Sequence, residues 1–186
     1  TLMRSSAASD VYKRQHLYGT PAKMDEIIKI CKKHNVPLIE DAAESLGSIY
    51  NGQQTGTFGE YGVFSFNGNK IITTSGGGML VSNNEDGIKK VRFWATQSKE
   101  PVRHYEHKEI GYNYRMSNIC AGIGRGQLKV LDKRIEKKTG IYNKYKNELE
   151  KVKEIKMQPI PKNTMPNHWL SVMTIDKDSK VKPLNI

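Results

Sequence analysis

Cysteine is nearly absent. Cys31 and Cys120 are the only two in 186 residues, and neither belongs to a Cys-x-x-Cys pair or to a histidine cluster. That spacing supports no disulfide framework and no metal site, and a reducing cytoplasm is the expected compartment. No stretch approaches the roughly 18 consecutive apolar residues of a membrane span. No positively charged, apolar, cleavable leader opens the chain, so neither a membrane association nor export is expected. Internal repeats are missing as well. Acidic side chains are the scarcer charge, 19 against 30 Lys plus Arg for a net +11. Such an excess attracts polyanions, but it suits a diphosphate-bearing substrate as well as nucleic acid. Much of it lies between Lys129 and Lys156, where basic residues alternate with Glu and aliphatics at helical spacing, as on a solvated helix face. No nucleic-acid-binding motif accompanies it, so a nucleic-acid partner is not expected.

What is present is a chain long enough for one good core and a regular alternation of elements. Residues 1–15 show neither strand alternation nor a continuing helical stripe. They are read as a non-native or artefactual segment outside the fold. Met24, Ile27, Ile28 and Cys31 mark one face of a helix over residues 24–34, with Cys31 in the core. His34 stands at its carboxyl end, where it favours the helix dipole. The apolar run Val36-Pro37-Leu38-Ile39 reads as a buried parallel strand, and Gly62-Val63-Phe64-Ser65-Phe66 as a second. Asn51-Gly52 and Thr55-Gly56-Thr57-Phe58-Gly59 between them predict a hairpin-like excursion. Further on, Met79-Leu80-Val81-Ser82 reads as a strand, residues 83–96 as a capped helix and residues 97–109 as a polar loop. A small-residue helix opens at Ser117-Asn118, a long basic helix covers about 127–152, and residues 168–175 read as a strand.

Two groups stand where α/β sheets place their ligands, just past strand ends. Asp41 ends the first strand, and Lys70 follows the second. A carboxylate there can meet a buried cation. A lysine held in a pocket can become a neutral nucleophile that condenses with a carbonyl. Pyridoxal phosphate needs both, together with hydroxyl and backbone donors for its phosphate. On spacing alone, the alternative is equally good: Asp41 as the N-cap of a helix over residues 42–46, and Lys70 as a solvated loop lysine.

The ordered segments Glu40-Asp41-Ala42-Ala43-Glu44, Gly56-Thr57-Phe58-Gly59, Ser65-Phe66-Asn67-Gly68-Asn69-Lys70, Gly76-Gly77-Gly78 and Gly111-Tyr112-Asn113-Tyr114-Arg115 resemble the DegT/DnrJ/EryC1/StrS family of pyridoxal-phosphate sugar aminotransferases. The resemblance runs from His16 to about Asp176. It implies an α/β fold, the three-layer fold-type-I large domain, followed by a small carboxyl-terminal domain in a chain about twice this long. Residues 16–130 then correspond to part of the large domain, and residues 131–186 to a connecting helix and the start of the small one. Family members carry an apolar strand just before His16, and upstream of it a helix start that cradles the cofactor phosphate.

The resemblance also implies roles. Lys70 corresponds to the lysine that binds pyridoxal 5'-phosphate covalently and then shuttles a proton. Asp41 corresponds to the carboxylate that pairs with the pyridinium nitrogen, and Ser65 to the phosphate-binding hydroxyl. Glu44 stands near the cofactor ring where many members have Gln or His, so its own contact is left open. Asn113, and with it Arg115, corresponds to residues that reach into the other subunit's site, which implies a homodimer with shared active sites. The run from Ser65 to Met79 most resembles enzymes that aminate UDP-linked 4-keto-6-deoxy-N-acetylhexoses with nitrogen from L-glutamate, and Arg103 and His104 are positioned in sequence to meet the diphosphate. Three alternatives stand beside this reading. The family's sugar dehydratases carry His where this chain has Lys70. Other fold-type-I pyridoxal enzymes lack the Gly-Tyr-Asn-Tyr-Arg segment. A non-catalytic sensor or regulatory relative would bind no cofactor.

Overall fold

Alternation along two short strands sets the layout of the molecule. A computed structural model describes residues 12–180. In chain order its elements are Tyr12–Gln15 (β1), Met24–Lys33 (α1), Leu38–Asp41 (β2), Ile49–Tyr50 (β3), Gln53–Gln54 (β4), Tyr61–Ser65 (β5), Gly78–Val81 (β6), Glu85–Ala95 (α2), Asn118–Leu128 (α3), Leu131–Leu149 (α4), Ile155–Met157 (β7), Thr164–Met165 (β8) and Met173–Ile175 (β9). The main sheet has the order β1-β2-β5-β6. β1, β2 and β5 run parallel, and β6 returns antiparallel along β5.

The pairing registers Glu40 against Gly62 and Asp41 against Val63. Side chains alternate across a strand. Leu38, Glu40, Gly62 and Phe64 therefore share one face of the sheet, while Ile39, Asp41, Val63 and Ser65 share the other. The first face is the more deeply buried. At one end, Leu38 packs with Ala22, Met24, Cys31 and Tyr50 under α1. At the other, Phe64 and Ala42 pack with Phe66, Ile72 and Leu131 at the start of α4. Helix α1 forms where predicted, with Asp25 and Glu26 in its first turn, Lys32 and Lys33 in its last, and His34 as its C-cap. This charge order complements the helix dipole. The opposite face meets α2, since a Cβ on Gly87 would stand 2.1 Å from the Tyr61 hydroxyl. Helices on both sides of a parallel-rich sheet make this a three-layer α/β arrangement.

The Asn51-Gly52 turn forms as expected, both residues at positive φ (48° and 81°), and joins β3 to β4. Such a pair matches the twist of a two-residue hairpin. Asn84 and Ser117 cap α2 and α3 through their side chains. Helix α4 buries only Leu131 and Tyr142, as its solvated basic pattern requires.

Three readings need correction. Residues 12–15 are part of the fold, because β1 pairs with β2 over its whole length, Tyr12 against Leu38 through Gln15 against Asp41. Its sequence, Tyr-Lys-Arg-Gln, carries no apolar alternation; among the described residues it is an outer strand of the sheet, with three of its four residues exposed. Residues 1–11, the rest of the stretch read as non-native, lie outside the described residues. The strand predicted over 168–175 is confined to β9, which pairs with β7. Residues 167–169 are instead buried against the main body. Nor does a helix form over residues 42–46, where the chain makes successive turns. The region assigned from sequence to a second domain also contributes β8, which pairs with β3.

Candidate active site

The site is assembled at the carboxyl ends of β2 and β5. Asp41 is the last residue of β2 and Ser65 the last of β5. Both lie on the same face, and strand geometry sets their Cα atoms about 8 Å apart, one strand over and two residues along. Lys70 lies in the turn that follows, its backbone N–H bonded to the Asn67 carbonyl at 3.1 Å. Asp41, Ser65 and Lys70 thus come to one edge of the sheet.

Asp41 is half-buried. Its Oδ1 accepts the Ala43 N–H at 3.3 Å, and its Oδ2 lies 3.2 Å from Lys13 Nζ. A cation already meets this carboxylate, so the position suits a protonated ring nitrogen. Ser65 Oγ accepts the Asn67 N–H at 3.3 Å, and its hydroxyl proton remains a donor suited to an anion. Lys70 Nζ lies 4.3 Å from the centroid of the Trp169 ring. A carboxylate, a hydroxyl donor and a primary amine in this order match the ring nitrogen, the phosphate and the aldehyde of pyridoxal phosphate, so the donor set fits that group.

The neighbouring carboxylate, Glu40, has the opposite task because strand alternation turns it into the core. It is fully buried. Its Oε2 accepts the Gly56 N–H at 2.8 Å, and its Oε1 accepts the N–H groups of Phe58 (2.5 Å) and Gly59 (2.7 Å). His16 Nδ1 accepts the Ala22 N–H at 3.1 Å, so the proton sits on Nε2, which donates to Glu40 Oε2 at 2.9 Å. Burial pushes the Glu40 carboxyl upward, yet the His16 bond and the Gly59 and Gly56 donors outweigh it and hold the group below its ordinary value. Glu40 thereby clamps the loop of residues 55–59 onto the sheet. Gly62 permits that approach, since a Cβ there would stand 1.9 Å from the Gly56 carbonyl oxygen.

Glu44 turns one carboxylate oxygen to the backbone, its Oε2 accepting the Tyr18 N–H at 2.6 Å. Asn113 and Arg115 stand elsewhere. Asn113 is exposed and bridges Thr96 along the chain. Arg115 lines a groove between β6, α2 and the start of α3, together with Leu80, Trp94, Tyr112 and Met116.

Sequence reasoning passed over three residues that meet the site. Lys13 lay in the excluded segment. Trp169 was read as part of a strand, and Asn167, just before it, was given no role. The Asn167 side chain donates to the carbonyls of Glu44 (2.9 Å) and Leu46 (3.0 Å), and Trp169 Nε1 donates to the Asn69 carbonyl at 2.7 Å. The available signal was the Asn-His-Trp triplet itself, a run of side chains with specific donors in a lysine-rich stretch.

Comparison with known proteins identifies the family. The profile of the DegT/DnrJ/EryC1/StrS aminotransferase family matches residues 14–184. The chain is 57% identical over 161 residues to Bacillus subtilis (strain 168) EpsN, whose name places it among pyridoxal phosphate-dependent aminotransferases; the match covers 87% of this chain and 42% of EpsN. It is 41% identical over 160 residues to the GDP-perosamine synthase of Escherichia coli O157:H7, covering 86% and 43% of the two chains. Identity is also 41%, over 164 residues, to a UDP-4-amino-4,6-dideoxy-N-acetyl-beta-L-altrosamine transaminase of Campylobacter jejuni, covering 87% and 39%. Among solved structures, the aminotransferase TlmJ of Streptoalloteichus hindustanus superposes with a TM-score of 0.85 at 25% identity, over 93% of this chain and 48% of that one. The chain spans less than half the length of each of these relatives. It belongs to the DegT/DnrJ/EryC1/StrS aminotransferase family.

Proposed function

We propose that the full-length protein is a pyridoxal-phosphate-dependent aminotransferase that places an amino group on a 4-keto-6-deoxy sugar linked to a nucleoside diphosphate, with L-glutamate as amino donor. The observation that carries this reading is the convergence of Asp41, Ser65 and Lys70 at the carboxyl ends of two adjacent parallel strands, on a chain whose relatives include enzymes named for nucleotide sugars. When bound, the cofactor supplies a conjugated ring that accepts electrons from the reacting carbon.

The residues divide the remaining work. The Asp41 carboxylate keeps a proton on the ring nitrogen. The Ser65 hydroxyl donates to the phosphate. Lys70 Nζ holds the cofactor covalently and, once released, carries a proton to or from the substrate carbon. A lysine rather than a histidine at position 70 favours amination over the dehydratase alternative. Glu44, in the turn after β2, would stand near the ring, with one carboxylate oxygen already taken by the Tyr18 N–H. Asn113 and Arg115 act in the site of a second subunit, which makes the active form a homodimer. Residues 131–186 are the connecting helix and the beginning of a smaller domain. Two unpaired cysteines, Cys31 buried and Cys120 half-buried, suit a reducing cytoplasm. No helix among the described residues is long and apolar enough to cross a membrane.

Incubating the full-length protein with pyridoxal phosphate, L-glutamate and UDP- or GDP-linked 4-keto-6-deoxy sugars tests the reading. The expected product shows the mass change of a carbonyl converted to an amine, with 2-oxoglutarate formed in equal amount. Release of 2-oxoglutarate without sugar amination would overturn the substrate assignment.

A further inference from the structure

Residues 167–169 form a short strap that reaches both halves of the candidate site from far along the chain. Asn167 is fully buried. Its two amide protons go to the carbonyls of Glu44 and Leu46, in the turn after Asp41. Its backbone N–H donates to Ser48 Oγ at 2.9 Å, and its Oδ1 accepts the Trp169 N–H at 2.9 Å. Both amide donors and the amide oxygen are thus engaged, a pattern no other side chain of this size reproduces. His168 adopts a left-handed backbone (φ 49°) and stacks on Tyr142 of α4, ring centroids 4.1 Å apart. This turn aims Trp169 at the lysine loop. There the indole N–H donates to the Asn69 carbonyl, and the ring of Trp169, a buried residue, lies under Lys70 Nζ with its centroid 4.3 Å away.

An indole in this position favours one state of the lysine. A cation is attracted to the ring face, whereas an amine committed to a covalent bond elsewhere gives up that contact. We propose that Trp169 is a positioning residue that docks the free, charged Lys70 side chain, and so weights the balance between the covalently held cofactor and the form that leaves the lysine free. The inference rests on the proposed function, because it takes Lys70 as the lysine that holds pyridoxal phosphate. It goes further in assigning Trp169 a part in how readily that lysine is released.

The two cofactor forms separate this role from simple support of the fold. Pyridoxal phosphate engages Lys70 covalently, whereas pyridoxamine phosphate has no aldehyde and leaves the amine free. The experiment measures the affinity of the full-length protein for each, with borohydride reduction and peptide mapping to show where pyridoxal phosphate attaches. In Trp169→Leu the ratio of pyridoxal phosphate affinity to pyridoxamine phosphate affinity should rise about fivefold, the equivalent of one partly buried cation–π contact. In Trp169→Tyr, which restores an aromatic face, the ratio should stay within about twofold of wild type. A purely structural role would lower both affinities together and leave the ratio unchanged. That result, with pyridoxal phosphate still attached at Lys70, would overturn this inference alone. Attachment of the cofactor to some other residue in the wild type would overturn both this inference and the proposed function.

Discussion

The strand-end region, residues 38–74, and the region from α2 to α3, residues 85–128, are built on different principles. In the first, polar groups turned inward are matched. Glu40 has four donors, and Ser45 and Thr55 bond to each other at 2.8 Å. The second buries no residue of either helix. Tyr105, Ile110, Tyr114 and Ile119 are each more than three-quarters exposed. The strand ends are therefore organised by contacts within this chain. The α2 to α3 face has the character of a surface that another body covers. Asp41, Ser65 and Lys70 belong to the first region, and Asn113 and Arg115 to the second.

The largest effect should come from the strand ends. On the proposed reading, Asp41→Asn removes the charge that would face the ring nitrogen but leaves Lys70 and Ser65 in place. Turnover in steady-state assays should fall on the order of a hundredfold to a thousandfold, with much smaller loss of cofactor affinity. Near-normal turnover would reduce Asp41 to the partner of Lys13.

Glu40→Gln tests the inward half of the same strand. It presents an amide NH2 to one of the two pairs of N–H donors that converge there, leaving both buried donors of that pair without an acceptor, and should cost about 3 kcal/mol in a denaturation experiment. Because the folded carboxyl is held below its ordinary value, the wild type gains stability above the unfolded carboxyl's range and loses it as pH falls through the folded one. Thermal melts from pH 6 to pH 3 should therefore show a steeper acid loss in the wild type than in Glu40→Gln. Parallel curves would mean that Glu40 does not titrate with unfolding.

The second region is tested by mixing subunits. If Lys70→Ala and Asn113→Ala chains are each nearly inactive, heterodimers should collect both lesions in one pocket and recover up to about half of a wild-type dimer's activity. No recovery from verified heterodimers would place Asn113 outside a shared site. The smallest effect belongs to Lys13→Ala. Its side chain is 57% exposed, so the pair with Asp41 should contribute less than about 1 kcal/mol to stability.

How much of this was legible follows from how far apart the interacting residues lie. Helix α1, the Asn51-Gly52 turn and strands β2 and β5 were readable because short-range periodicity and turn chemistry determine them. Asp41 and Lys70 were readable as candidates by their place after strands. Their sharing an edge with Ser65 required the register between β2 and β5, which neither strand encodes alone. β1 was missed because pairing with β2, rather than an apolar pattern of its own, makes it a strand. The strap was missed because Asn167 bonds to carbonyls more than 120 residues away, and the carbonyls of Glu44 and Leu46 leave no mark in the sequence. Glu40 and Asp41 are adjacent and chemically alike; only the sheet tells which turns inward.

The central claim is that Lys70 is the residue that holds pyridoxal phosphate. Reducing the full-length protein with borohydride after loading with pyridoxal phosphate, then digesting and sequencing the labelled peptide, tests it most directly. The account predicts a single pyridoxyl group on Lys70, within Ser65-Phe66-Asn67-Gly68-Asn69-Lys70, and its loss in Lys70→Ala. A label on any other lysine, or one that persists in that variant, would contradict it.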